Sequence, residues 1–84
     1  MLPLSGRRLL VVDDDADLAG VVADAAARLG ARVEVVPGGH AALVALGGGA
    51  PDAAVVDLPL PDLRGSAVLD AFRQAGVPAF AVSG

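Results

Sequence analysis

The sequence predicts an α/β domain built on a doubly wound parallel sheet. Four short apolar runs alternate along the 84-residue chain with segments whose apolar residues recur at helical spacing. The apolar runs are continuous, which is typical of parallel strands that are buried on both faces. The order β-α-β-α-β-α-β, joined by right-handed crossovers, places helices on both faces of a single sheet.

The predicted domain covers residues 7–84 and begins with a strand at Arg8 to Val12. Residues 1–6 contain proline, serine and glycine, and they predict a linker or a frayed end. The segment after the first strand repeats apolar residues at i, i+3, i+4, i+7, i+8 and i+11, the stripe of an amphipathic helix. These residues are Leu18, Val21, Val22, Ala25, Ala26 and Leu29. Gly30 is expected to end this helix.

The second half of the chain continues the alternation of strands and helices. The predicted elements are, in order, a strand at Arg32 to Val36, a helix at Ala41 to Leu46, a strand at Ala53 to Val56, a helix at Ser66 to Ala75 and a strand at Pro78 to Val82. Glycines 47–49 and Gly76 are expected to end the two helices. Val68, Leu69 and Phe72 are expected to face the core.

Composition excludes several classes of function. The chain carries a formal net charge of -4 and all of its cationic residues are arginine, so no basic surface is available to neutralise nucleic-acid phosphates. It contains no cysteine, which excludes disulfides and thiol chemistry. Neither a signal-peptide pattern nor a long apolar run is present, which favours a cytoplasmic location without membrane contact.

Acidic residues follow two of the predicted strands. Asp13 and Asp14 come directly after the first strand, and Asp57 comes after the third. Because the carboxyl ends of neighbouring parallel strands open into one crevice, these carboxylates are expected to lie close together. Clustered like charges require a counter-ion, and oxygen ligands of this kind suit Mg²⁺. Asp15 and Asp17 lie where a helix begins, and capping explains them equally well.

The order and spacing of these motifs resemble the receiver domain of two-component response regulators. The motifs are Leu-Leu-Val-Val-Asp-Asp-Asp at 9–15, Gly39 with Ala42-Leu43, Pro51-Asp52, and Asp57-Leu-Pro-Leu-Pro-Asp-Leu-Arg-Gly65. The resemblance implies a flavodoxin-like fold with strand order 2-1-3-4. It also implies a module that catalyses its own phosphorylation, with a histidine kinase or a phosphotransfer protein as its partner, and that is not a stand-alone enzyme.

The resemblance also assigns roles to individual residues. Asp57 corresponds to the phosphoacceptor, and Ser83 to the hydroxyl residue that donates a hydrogen bond to the phosphoryl group. Asp13 and Asp14 correspond to the acids that hold Mg²⁺, to which Asp57 and the backbone carbonyl of Pro59 also contribute. A proline can serve in this way because it lacks only the N–H group.

The family's last strand and last two helices have no counterpart, so the chain resembles a receiver truncated after the fourth strand. The chain also contains no lysine to match the one on the family's fifth strand. The uncharged fourth strand is then expected to be an open edge, which predicts a homodimer through this strand, exchange of elements, or a fragment of a longer protein. Residues 2–6 are similar to the join that precedes the receiver in hybrid histidine kinases.

Two alternative functions remain open from the sequence. A pseudo-receiver would share the fold and act as a docking or dimerisation module without phosphorylation. The acids after the first strand also resemble those of haloacid-dehalogenase phosphatases, but those enzymes need a lysine and a longer chain. His40 has no second histidine with which to form a metal site and, like Arg64, is interpreted as a surface residue. Gly47 to Gly49 lack the lysine of a phosphate-binding loop.

Overall fold

Strands and helices alternate along the chain as the sequence predicts. The computed structural model describes the backbone of residues 1–83 and the side chains of residues 1–82. The elements are β1 (Arg8–Val12), α1 (Ala16–Arg28), β2 (Arg32–Val36), α2 (Gly39–Gly48), β3 (Ala53–Leu58), α3 (Gly65–Gln74) and β4 (Ala79–Ser83). All strand pairs are parallel, and the order β2-β1-β3-β4 confirms both the predicted fold class and the predicted strand order.

Four elements have boundaries that differ from the predicted ones: β3, β4, α2, which also begins two residues earlier, and α3, which is shifted by one residue. β3 continues through Asp57 and Leu58, because these residues pair with the end of β4. β4 begins one residue after Pro78 and includes Ser83. α2 runs through two of the glycines that were expected to end it and stops at Gly49, the first residue there with a positive φ, 151°. A glycine ends a helix only where the backbone adopts such an angle.

The glycines after α1 and α3 end these helices as predicted. Gly30 has a φ of 98°, and the N–H of Ala31 donates to the carbonyl of Ala26 at 3.1 Å. Gly76 has a φ of 78° and closes α3 with the same pattern of hydrogen bonds. Both ends are Schellman motifs, in which the positive φ lets the chain pair the last free carbonyls of the helix.

The core lies between the sheet and the pair α2 and α3. Its largest fully buried side chains are Phe72, Leu10, Val12, Val56 and Val68. Burial of Val68, Leu69 and Phe72 confirms the inner face predicted for α3. The core contains one aromatic ring, so it depends on many small aliphatic contacts.

The opposite face of the sheet is covered by α1, which packs on β1 and β2. In the described part of the chain no helix covers β3 and β4 on this side. The apolar stripe predicted for α1 is therefore only partly buried: Ala26 is enclosed, whereas Leu18 is 44% and Val21 66% exposed. An apolar groove of about 230 Å³ lies along α1 and is lined in part by Leu18, Val22, Val55 and Val82.

Residues 1–6 lie against the C-terminal end of α1. The N–H of Leu4 donates to the carbonyl of Leu29 at 2.7 Å, and the N–H of Leu2 donates to Ser5 Oγ at 3.2 Å. Among the described residues, no helix is both long enough and apolar enough to cross a membrane.

Candidate functional site

Three carboxylates meet where β1 and β3 end. Asp13, Asp14 and Asp57 each place a carboxylate oxygen within 4.8 Å of those of the other two. Parallel pairing of β1 with β3, in the register Val12 opposite Val56, brings the two strand ends side by side. Asp13 is buried, Asp57 is half-buried and Asp14 is exposed, so the cluster opens to solvent on one side.

Hydrogen bonds to the backbone orient the acids that follow β1. The carboxylate of Asp13 accepts the N–H of Asp15 at 2.8 Å, and the backbone N–H of Asp13 donates to the carbonyl of Val36. The carboxylate of Asp15 accepts the N–H groups of Asp17 and Leu18 at 3.1 and 3.2 Å. Asp15 therefore caps α1, and Asp13 is held in place beside Asp57.

Burial and neighbouring charges shift the pKa of Asp57. Its Oδ1 atom is buried and has no hydrogen-bond partner among the described residues. Desolvation is the largest effect that raises the pKa of Asp57 above its ordinary value of 3.8. The negative charge of Asp13, a hydrogen bond with its side chain and the charge of Asp14 raise this pKa further. The backbone N–H of Leu58 opposes these effects. A buried acceptor without a donor, beside two further acids, suits a divalent cation.

The raised pKa of Asp57 predicts a pH-dependent penalty in the metal-free protein. Below about pH 3.8, the ordinary value of this carboxyl, it is protonated in both the folded and the unfolded chain. As the pH rises from there to the raised folded pKa, the unfolded chain releases its proton first, and the free energy of unfolding falls. Above the folded pKa the penalty is constant. Asp57→Asn should therefore melt at a higher temperature than the wild type at pH 7 in EDTA.

Thermal melts followed by far-UV circular dichroism between pH 3 and pH 8 measure this effect. The two proteins should converge at the acidic end of the series. Asp24→Asn, which changes an exposed acid of α1, is the control and should follow the wild type. Equal melting temperatures of Asp57→Asn and the wild type across the whole series would contradict the assigned electrostatics.

Two further residues assigned from the sequence, Pro59 and Ser83, lie at the ends of β3 and β4. Pro59 is exposed and directly follows β3. Ser83 stands opposite Leu58 in the pairing of β4 with β3, one residue beyond Asp57, while its side chain lies outside the described residues. His40 and Arg64 are exposed, as interpreted from the sequence.

Asp62 was not predicted from the sequence to have a role. Its carboxylate accepts the N–H groups of Gly39 and His40 at 2.8 and 2.9 Å, at the start of α2. The hydrogen bond from His40, followed by the one from Gly39, lowers the pKa of Asp62. The available signal was that α2 begins at glycines, which cannot cap a helix with a side chain. The sequence does not indicate which distant acid supplies the cap.

Known proteins resemble this chain in both sequence and fold. A sequence model of the response regulator receiver domain matches residues 9–84. The Transcriptional regulatory protein TcrA of Mycobacterium tuberculosis, found in two strains, is 36% identical over 74 residues. That alignment covers 88% of this chain and 29% of TcrA, so the chain spans less than a third of the length of this curated relative.

Solved structures of receiver domains superpose closely on the fold. The CheY-like receiver domain from Methylobacillus flagellatus has a TM-score of 0.84 at 30% identity, over 93% of this chain and 70% of that one. The receiver domain of the Francisella response regulator 1452 has a TM-score of 0.82 at 26% identity, over 93% and 66% of the two chains. Together with the match over residues 9–84, these likenesses establish that the chain belongs to the response regulator receiver domain family.

Proposed function

We propose that the chain is the phosphoacceptor module of a two-component phosphorelay. In this function Asp57 receives a phosphoryl group from a histidine kinase or a phosphotransfer protein. The observation that carries the proposal is the buried Oδ1 atom of Asp57. In the described part of the chain this atom has no hydrogen-bond partner, and it lies beside two further carboxylates at the end of the sheet. Phosphoryl transfer needs a positioned nucleophile and neutralised charge, and little other chemistry from the protein.

The transfer step forms one bond and breaks another. A carboxylate oxygen of Asp57 attacks phosphorus, the new P–O bond forms, and the P–N bond to the imidazole of a phosphohistidine breaks. The imidazole leaves with the electron pair and takes up a proton from water. The product is an acyl phosphate on Asp57.

The acids around Asp57 fit a magnesium ion. Asp13, Asp14 and Asp57, with the backbone carbonyl of Pro59, would hold Mg²⁺, which prefers a few oxygen ligands and retains several waters. When bound, the ion supplies the positive charge that neutralises the phosphoryl oxygens. The hydrogen bond from the N–H of Asp15 fixes the Asp13 carboxylate. Asp14 is exposed, so an ion can enter the cluster from solvent at this residue.

Magnesium binding can be measured without any phosphoryl donor. Titration of the ¹⁵N-labelled chain with Mg²⁺ should shift the amides around residues 13–15 and 57–59, and Asp14→Ala should weaken binding by about 10-fold or more, because one of few acidic ligands is lost. Asp24→Ala removes the same charge from an exposed site on α1 and should bind as the wild type does. An unchanged titration for Asp14→Ala would show that the metal site is misassigned.

Small phosphodonors test the acceptor function itself. Incubation with acetyl phosphate should add one phosphoryl group to the wild type in Mg²⁺ and none in EDTA, as read by intact mass. Asp57→Asn should remain unmodified, because an amide oxygen is a poor nucleophile. A folded wild-type chain that binds Mg²⁺ and forms no adduct would overturn the proposed function and would favour a docking module with the same fold.

We further propose that copies of this chain pair through β4. The outer edge of β4 meets no strand in the described part of the chain. β4 contains no charged residue, and its Phe80 and Val82 are 59% and 46% exposed. The other edge strand, β2, carries the exposed charges of Arg32 and Glu34, which oppose edge pairing. Edge-to-edge pairing of two chains at β4 would satisfy its free N–H and C=O groups.

A further inference from the structure

The N-terminus of α2 is capped by a residue that is distant in sequence. Gly38 occupies the capping position and has no side chain to offer, so the first N–H groups of the helix need another acceptor. The Asp62 carboxylate supplies it, with Oδ1 on the N–H of Gly39 at 2.8 Å and Oδ2 on the N–H of His40 at 2.9 Å. We call these two hydrogen bonds the Asp62 clamp.

The glycines at the start of α2 provide the space that the clamp requires. A Cβ on Gly38 would lie 2.9 Å from Asp62 Oδ1, and one on Gly39 would lie 2.8 Å from the Cβ of Leu63. The φ of Gly38 is -163°, an extended angle that any residue adopts. A side chain at Gly38 would therefore displace the Asp62 carboxylate and one at Gly39 would displace Leu63, whereas the backbone freedom of glycine is not needed at Gly38.

The clamp holds the loop that leaves the candidate site. This loop runs from the end of β3 to the start of α3 and contains Pro59. Pairing of β3 with β4 fixes its first residues, and the clamp fixes Asp62 near its other end. The side chain of Leu63 packs against the core beside the clamp. The segment between Asp57 and Asp62 is consequently tethered at both ends.

We propose that Asp62 is a positioning residue for the phosphoacceptor site. By holding the loop against α2, it keeps the carbonyl of Pro59 and the carboxylate of Asp57 in the arrangement that magnesium binding and phosphoryl transfer require. This inference rests on the proposed phosphoacceptor function and adds a residue that acts through the loop. Asp62 touches neither the metal nor the phosphoryl group in this account.

Substitutions on the two sides of the clamp test the proposal. Asp62→Ala removes both acceptor oxygens, whereas Asp62→Asn retains one oxygen and can accept only one of the two hydrogen bonds. Gly38→Ala keeps Asp62 but makes its carboxylate swing away, which costs the fold little because the carboxylate is the end of a flexible side chain. Gly47→Ala, in the same helix with no atom within 4 Å of the added Cβ, and Asp70→Ala, an exposed acid of α3, are the matched controls.

Two quantities are measured at a temperature at which each protein is folded: the Kd for Mg²⁺ from amide shifts, and the rate of adduct formation with acetyl phosphate. Outer residues that orient a metal site typically contribute 10- to 100-fold to affinity or activity, so Asp62→Ala should weaken Mg²⁺ binding and slow the reaction by about 10-fold or more. Gly38→Ala should change both quantities in the same direction, and Asp62→Asn, which keeps one of the two hydrogen bonds, should lie between Asp62→Ala and the wild type. Both controls should match the wild type.

A double variant separates the clamp from unrelated damage. Because Gly38→Ala and Asp62→Ala break the same two hydrogen bonds, the double variant should react no more slowly than Asp62→Ala alone. Wild-type Kd and rate in both Asp62→Ala and Gly38→Ala, or in Gly38→Ala alone if Asp62→Ala does not fold, would overturn the inference and leave the proposed function intact. Absence of any adduct on the folded wild type would instead overturn the proposed function, and the inference with it.

Discussion

Phe72→Ala is expected to reduce the stability of this domain more than any other single truncation in the core. Phe72 is the largest fully buried side chain, and removing it leaves a cavity between α3 and the sheet. Such substitutions cost about 3–5 kcal/mol. Single domains have a free energy of unfolding of roughly 0.05–0.15 kcal/mol per residue, or about 4–13 kcal/mol at this length. The loss is therefore about a quarter or more of the free energy of unfolding of the domain, and it should lower the urea midpoint clearly.

Urea denaturation followed by far-UV circular dichroism measures this loss, since the chain contains no tryptophan or tyrosine for fluorescence. Val44→Ala is the control, because it truncates a valine of α2 that is 75% exposed and lies outside the core. Surface substitutions usually change stability by less than about 0.5 kcal/mol. Equal losses for the two variants would show that the core is not centred on α3.

Two copies of the chain are expected to associate through β4. Light scattering over a concentration series should give a mass for the wild type that rises from one chain towards two. Phe80→Lys places a charge on the exposed edge strand and should keep the chain monomeric at every concentration, because a desolvated lysine opposes edge pairing.

The control for this experiment is Val44→Lys, on the exposed side of α2 where the valine is 75% exposed. It adds the same charge away from the edge and should associate as the wild type does. A folded wild-type chain that stays monomeric at every concentration would contradict pairing at β4. Association that persists unchanged in Phe80→Lys would place the contact on another surface.

The sequence predicts the alternation of strands and helices well because each signal is local. Continuous apolar runs mark strands buried on both faces, and Gly30 and Gly76 mark the helix ends through their positive φ angles. The extension of β3 through Leu58 could not be predicted in this way, because pairing with β4 decides it. The exposure of Leu18 likewise depends on which half of the sheet α1 covers, and its spacing does not contain that information.

The candidate site shows the same division between local and long-range information. The sequence predicts the proximity of Asp13, Asp14 and Asp57, because each lies at the end of a strand or just after it. Neighbouring parallel strands have their carboxyl ends at the same edge of the sheet. The hydrogen bonds that the Asp62 carboxylate accepts from α2 join residues more than 20 positions apart, and no periodicity of the sequence predicts them. The missing side chain at Gly38 indicates only that some acceptor is needed there.

Chemical trapping identifies which residue of the chain is phosphorylated. Borohydride reduces an acyl phosphate to the alcohol, so a phosphorylated aspartate becomes homoserine at its position in the chain. After reaction with acetyl phosphate and Mg²⁺, followed by borohydride, peptide mass spectrometry should find homoserine at position 57 and none when EDTA replaces Mg²⁺. Homoserine at position 13 or 14, or no homoserine in a folded chain that binds Mg²⁺, would contradict the assignment of Asp57 as the phosphoacceptor.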